Sequence, residues 1–160
     1  MTQFSVQRKG VGFDEVAKQW GIDVKELKEG VLSDMAEMLV NLSPVDSGTY
    51  VKNHAIGLRS GSFQATGMRD PNAPRRSRGE SVSVSGAKSE ARQLLADDIA
   101  QVDLAAESFV IRNGMECSKY IEAGVRGTKS GYGPPPYAST VREAPRIIQE
   151  VAQRIASRNR

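Results

Sequence analysis

The chain has 160 residues, 39% apolar and 26% charged, with a net charge of +3; that is one domain's worth, long enough to bury roughly 68–70% of its unfolded surface. No apolar run approaches the ~20 residues of a spanning helix, so a membrane protein is excluded. A single cysteine, Cys117, rules out an internal disulfide framework, and a single histidine, His54, rules out a multi-histidine metal site.

The first residues lack the basic and apolar regions of a secretory signal, which points to cytosolic synthesis. Residues 2–8 alternate weakly, with Phe4 and Val6 on one side, and suggest a short strand or an ordered arm over 1–12. Phe13, Val16, Ala17 and Trp20 recur at helical spacing behind Asp14 as a cap, and Gly21 ends the turn. Next, Val24, Leu27, Val31, Leu32, Met35, Met38, Leu39 and Leu42 place one apolar face on a longer helix. Asp23 and Glu26 have the spacing of a capping box, and Pro44 ends the helix because the residue before a proline is pushed out of the α region. Ser43-Pro44-Val45-Asp46-Ser47-Gly48 is a turn: proline presets one dihedral, Asp46 bonds its own backbone and Gly48 permits positive φ.

Tyr50 to Leu58 reads as a moderately apolar strand. Residues 59–79 then form a long polar excursion, after which Ser81 to Ser85 alternates as a returning strand. Ser89 to Val102 is a helix, and Phe109-Val110-Ile111 a buried strand. Asn113-Gly114 is a hairpin signal taken alone, but Met115 to Ala123 fits a short helix closed by Gly124. A proline-rich loop leads into a C-terminal helix over 137–157, in which Pro145 marks either a kink or the true first turn. Arg154, Arg158 and Arg160 suit the negative pole of that helix. Helices of useful length number three and short strands about four. The expected fold is α+β, one domain over 1–160, with a small, mainly antiparallel sheet packed on the helices and a protruding loop at 59–79.

The chemistry-bearing residues are few. A serine–histidine relay or a Cys117 nucleophile would have to use His54, and no elbow-type serine motif lies near it. Asp97-Asp98, Asp103 and Glu107 read as a solvated face, because adjacent helical residues point apart. No phosphate-binding glycine motif occurs. Pro134-Pro135-Pro136-Tyr137 matches a ligand for WW-type domains, but so short a motif is easily matched by chance and a rigid loop into the last helix is the favoured reading. No catalytic, metal or cofactor residue is assigned. Between Arg59 and Arg92 stand seven cations and three anions. Arg75, Arg76 and Arg78, with Arg69, are the candidate contacts to a neighbouring subunit or to DNA; without interleaved aromatics they suit phosphate or an acidic surface rather than stacked bases.

Two stretches carry a resemblance. Ser43-Pro44-Val45-Asp46-Ser47-Gly48 behind an amphipathic helix resembles the "PVDTG" signature of the tail-completion (minor tail, neck) proteins of long-tailed bacteriophages. Val110-Ile111-Arg112-Asn113 followed by Tyr120-Ile121-Glu122-Ala123-Gly124 resembles that family's strand, asparagine and "YA..lE.G" segment. The proline loop and closing helix follow in the same order, so the likeness runs over about 13–156. Ser47 stands where threonine is usual, and 59–88 cannot be matched. The resemblance implies a structural virion protein of the neck or tail top, made in the host cytoplasm, catalysing nothing and using no cofactor. It implies a homo-oligomeric ring, expected to be a hexamer, that meets a tail tube or tail terminator and a head connector or stopper. Genomic DNA would pass through the lumen without sequence recognition. Pro44, Asp46, Gly48, Asn113, Tyr120, Glu122 and Gly124 are then structural residues. The alternative is a small basic DNA-binding or DNA-packaging protein that uses Arg75, Arg76 and Arg78.

Overall fold

The computed structural model describes residues 12–45, 48–58, 82–115, 118–123 and 133–160. The fold is α+β. Its elements are α1 (Phe13–Trp20), α2 (Val24–Leu42), α3 (Thr49–Lys52), β1 (His54–Leu58), α4 (Val84–Gln101), β2 (Phe109–Asn113), α5 (Ser118–Glu122) and α6 (Pro136–Arg158).

Helix α2 is the axis of the structure, and its apolar residues serve two cores rather than one face. Leu27 and Val31 pack with Val16 and Ala17 of α1 and with Ile147, Val151 and Ile155 of α6, flanked by Met35 and Met38. Leu32, Ala36 and Val40 pack with Val51, Ile56 and the Ala91, Leu95 and Ile99 stripe of α4. A stripe wider than a single seam lets one helix bury itself on both sides.

The start of α2 is capped as the spacing requires: the Asp23 carboxylate accepts from the Glu26 amide at 2.9 Å. Glu26 is not the reciprocal half of a box; its side chain accepts from Arg158 of α6. The end also follows the sequence, with Ser43 extended (ψ 130°) in front of Pro44. At α1 the expectation needs correction. The cap position is Gly12, with no side-chain bond, and Asp14 sits inside the first turn, where a negative charge suits the dipole. Gly21 ends α1 in the left-handed region, φ 64°.

Two strand expectations fail. Tyr50 does not begin a strand: Gly48, at φ 81°, opens the single turn α3, and the strand starts only at His54. Residues 82–85 are not a strand either, because the Ser83 hydroxyl accepts from the Gly86 amide and starts α4 at Val84, five residues before Ser89. In a Ser-rich stretch the capping hydroxyl outweighs a period-two pattern of small residues. Asn113-Gly114 does not turn a hairpin; as expected, a short helix follows it, α5 over Ser118–Glu122. β2 pairs antiparallel with β1, His54 opposite Asn113 and Leu58 opposite Phe109, so among the described residues the sheet has two strands; the expected strand over 2–8 lies outside them.

β1 is sealed on its other side by α4. The Ile56 amide, which points away from β2, donates to the buried Asp98 carboxylate at 3.0 Å. That binds Asp98 into the core and corrects its assignment to a solvated face. Lys28, on α2, is also buried; its ammonium donates to the Leu104 and Ala106 carbonyls at 3.1 and 2.9 Å and stands over the Phe109 ring. α6 begins at Pro136 and runs through Pro145, which lies on the exposed side. Arg154 and Arg158 do more than face the helix pole: they bind Asp34 and Glu26 of α2. The arm 1–11, Asp46, the excursion 59–81, Cys117 and Gly124 lie outside the described residues. Among those described, no helix is long and apolar enough to cross a membrane.

Candidate functional site

Two residues of the stretches that carry the resemblance, Ser43 and Asn113, meet around one buried ring, and a third, Glu122, holds the ring's partner Tyr137. His54, the first residue of β1, has no exposed surface. The turn that ends α2 brings Ser43 against it, α3 brings Tyr50, the end of β2 brings Asn113 and the first turn of α6 brings Tyr137. All four of these residues are buried.

The hydrogen bonds assign the protons. The Ser43 hydroxyl donates to the Leu39 carbonyl at 2.7 Å, satisfying one of the open carbonyls of the last turn of α2. With its proton committed there, Ser43 Oγ accepts from His54 Nε2, 2.7 Å away. His54 Nδ1 is therefore the acceptor side of the ring, and it receives the Tyr137 hydroxyl at 2.8 Å and the Asn113 amide at 3.1 Å. The tautomer is assigned from this network. Asn113 uses the rest of its amide group as well: Nδ2 donates to the Tyr50 carbonyl, and Oδ1 accepts from the Met115 amide, both at 2.9 Å. The Tyr50 ring meets the imidazole edge-on, with centroids 5.0 Å apart.

Tyr137 is tied from behind. The Glu122 carboxylate accepts from the Tyr137 and Ala138 amides at 2.8 and 3.2 Å. It supplies the cap that Pro135 has no side chain to supply, and it places a negative charge at the positive end of α6. Burial pushes the Tyr137 phenol well above its ordinary value, and the neighbouring Tyr50 and Glu122 add to the shift. The hydroxyl thus stays protonated and serves as a fixed donor to the histidine.

Serine and histidine at 2.7 Å suggest a nucleophile and its base, but the protons run the wrong way. A general base must take the serine proton; here that proton points at Leu39 and the histidine donates to the serine oxygen. With the ring fully buried and the serine nearly so, the arrangement joins five segments of backbone and does not present a reactive atom. Among the described residues no three His, Cys, Asp or Glu side chains group as metal ligands would.

Of the residues singled out in the sequence, Pro44, Gly48, Asn113 and Glu122 converge on this network or on the turns that build it. Tyr120 does not: about half of it is exposed, on α5. Asp46, Gly124, Arg69, Arg75, Arg76 and Arg78 are outside the described residues. The sequence reading missed Ser43 and Tyr137 as partners of His54. Separations of 11 and 83 residues leave no periodic signal. The available clue was a lone histidine opening an apolar strand, which must find partners among nearby hydroxyl and amide side chains.

The surface around the site is charge-compensated. A shallow groove between α2 and α6 carries Asp34, Glu37, Arg146 and Glu150 over Met38 and Ile147. Asp34 is bound by Arg154, Glu37 by Arg92 and Glu150 by Arg146. The Arg92 guanidinium, bonded at 2.7 Å, holds the Glu37 carboxyl below its usual range against partial burial. Lys88 and Arg92, counted with the basic segment in the sequence, thus face α2: Lys88 donates to the Asn41 carbonyl. No protein-family model, curated protein or solved structure matches the chain.

Proposed function

We propose that this chain is a structural subunit of the neck or tail top of a long-tailed bacteriophage, a tail-completion protein in a homo-oligomeric ring between head and tail. One observation carries the reading. Motif residues from distant parts of the sequence, Gly48, Asn113 and Glu122, hold the turns and helix ends around a buried His54–Tyr137 pair, which is an architectural role. The ring, expected to be sixfold, would meet the tail tube or terminator on one side and the head connector or stopper on the other, with DNA crossing its lumen. In this reading the protein resides in the virion and makes and breaks no bond.

A basic DNA-binding or packaging protein is the second reading, and the distribution of charge favours it. Of the 22 Lys and Arg and 19 Asp and Glu, the described residues hold 13 and 15. The basic excess therefore lies in the other segments, chiefly 59–81 with five arginines and two acids. Such a basic stretch of sequence attracts phosphate as readily as an acidic protein surface.

The deciding experiment is removal of the protein from an infecting phage, together with a measurement of mass per particle for the purified chain, alone and with tail tubes. The neck reading expects full heads and separate tails in its absence, joined when the purified protein is added back. It also expects the chain to enter tail-tube particles as an oligomer. A chain that stays monomeric and joins no particle, or purified virions that lack it, removes the reading.

A further inference from the structure

Asn113-Gly114 is the one Asn-Gly step of the chain, and in an unfolded chain such a step modifies itself. The Gly114 backbone nitrogen gives up its proton to the solvent and attacks Asn113 Cγ. The Cγ–Nδ2 bond breaks, Nδ2 takes up a proton and leaves as ammonia, and a five-membered imide remains. Water then opens the imide at either carbonyl, leaving aspartate or isoaspartate at 113. Glycine favours the first step because it has no Cβ to hinder the close approach of its backbone.

The folded chain opposes each part of that sequence. Asn113 is the last residue of β2 and has no exposed surface. Three hydrogen bonds fix the plane of its side-chain amide: Nδ2 donates to the Tyr50 carbonyl at 2.9 Å and to His54 Nδ1 at 3.1 Å, and Oδ1 accepts from the Met115 amide at 2.9 Å. For attack, Cγ must leave this plane and Nδ2 must abandon two acceptors in a buried site, where a lost partner is costly. The products fit no better. A carboxylate sets an oxygen where the donor stood, against the Tyr50 carbonyl and the accepting histidine nitrogen, and isoaspartate also lengthens the backbone at the end of β2. The folded chain therefore reacts only through an opening of the network, at a rate set by how often it opens.

We propose that Asn113 is a self-modification site gated by the His54 network. It is locked while the network is closed and loses ammonia while the network is open, and the converted side chain then bars the network from closing as before. Conversion separates chains that have kept the junction of β1, β2 and α6 from chains in which it has been open, and it needs no enzyme. The proposal uses neither functional reading.

The test incubates the native chain, Tyr137→Phe and Gly114→Ala in mildly alkaline buffer, each with and without denaturing urea, and follows residue 113 by peptide mass spectrometry. Gly114→Ala is expected to fold, since Gly114 has no positive φ and a Cβ there would meet Asn53 Oδ1 at 3.8 Å, an ordinary contact. In urea the native chain and Tyr137→Phe should convert at one rate, and Gly114→Ala about tenfold or more slowly. Without urea the native chain should convert at least about tenfold more slowly than it does in urea. Tyr137→Phe, short of one buried partner, should then convert at least about fivefold faster than the native chain. A urea series on the native chain gives the same reading without a variant, because conversion should rise with the open fraction. Conversion that is as fast in the folded chain as in the unfolded one, or that ignores the open fraction, overturns the proposal, and so does an unfolded chain that keeps its Asn113. Chain converted in urea and returned to buffer should unfold at a lower urea concentration than chain returned at once; equal midpoints overturn the bar to closing.

Discussion

Tyr137 is the residue at which the buried network is most exposed to experiment. Its hydroxyl fills one side of His54 Nδ1, and its backbone N–H takes one oxygen of Glu122. Tyr137→Phe keeps the ring and removes the donor, leaving that histidine nitrogen to Asn113 among the described donors. We expect a loss of about 1–3 kcal/mol at neutral pH, the usual cost of a buried partner removed. The pH dependence follows from the raised phenol. A group harder to ionise in the folded state contributes its stability fully below its unfolded value, about pH 10 for tyrosine. That contribution is lost as pH rises beyond 10 toward the folded value, at about 1.4 kcal/mol per pH unit. The stability gap between native chain and Tyr137→Phe should therefore be widest below pH 9 and shrink by pH 11. Urea unfolding at several pH values measures it, and a gap that stays constant contradicts a protonated, buried phenol.

At the scale of elements, the pair α2 and α6 decides whether the body holds together. Their crossing is close because Gly30 lacks a side chain: a Cβ there would stand 2.6 Å from Val151 Cγ1, and Val151 is fully buried. Alanine would gain about 0.5–1 kcal/mol in helix propensity, but overpacking of this kind costs about 1–3 kcal/mol. Gly30→Ala should thus lower the denaturation midpoint, and adding Val151→Ala should make the two changes clearly non-additive. The start of α6 gives an independent case. Glu122→Ala removes the cap of Tyr137 and Ala138, should cost about 0.5–2 kcal/mol, and should speed exchange at those two amides while α4 is unaffected. These elements also show what could be read from the sequence. α2 was legible from Asp23 to Pro44 because cap, periodicity and stop all agree. The 54–58 strand was legible, but Tyr50 to Asn53 was not, since a one-turn helix opened by Gly48 has no periodicity of its own. The start of α4 at Val84 was hidden because alternating serines and valines mimic a strand until one hydroxyl finds the Gly86 amide. Asn113 and Glu122 were visible only as motif positions. Their bonds to Tyr50, His54, Tyr137 and Ala138 cross 15 to 63 residues of sequence, distances over which no local pattern reaches.

For the whole molecule the question is where the positive charge is used. Within the described body five cations are paired with carboxylates: Arg92 with Glu37, Arg146 with Glu143 and Glu150, Arg154 with Asp34, Arg158 with Glu26 and Lys52 with Glu90. These pairs are at the surface and stabilise little one by one, and the described residues together hold 13 Lys and Arg against 15 Asp and Glu. Arg75, Arg76 and Arg78 belong to a segment where arginines outnumber acids, so they are the charges whose removal tells the two functional readings apart. In both readings the three serve a partner and not the fold, so changing all three to serine should leave the unfolding free energy within about 0.5 kcal/mol of the native chain. A DNA-binding protein that used the three would lose duplex affinity, and the slope of log K against log salt would fall by about 2.7, close to 0.9 for each phosphate contact. A lumen through which the genome must slide needs the opposite property: contacts weak enough that duplex binding at physiological salt is slight before the change and slight after it. The neck reading therefore expects no measurable change in the salt slope and a defect in joining heads to tails, through the loss of contacts to an acidic neighbouring surface. Titration of the two proteins with duplex DNA at 50 and 200 mM salt, beside a head–tail joining assay, separates the outcomes, and a steep slope abolished by the triple change would move the assignment to the DNA binder.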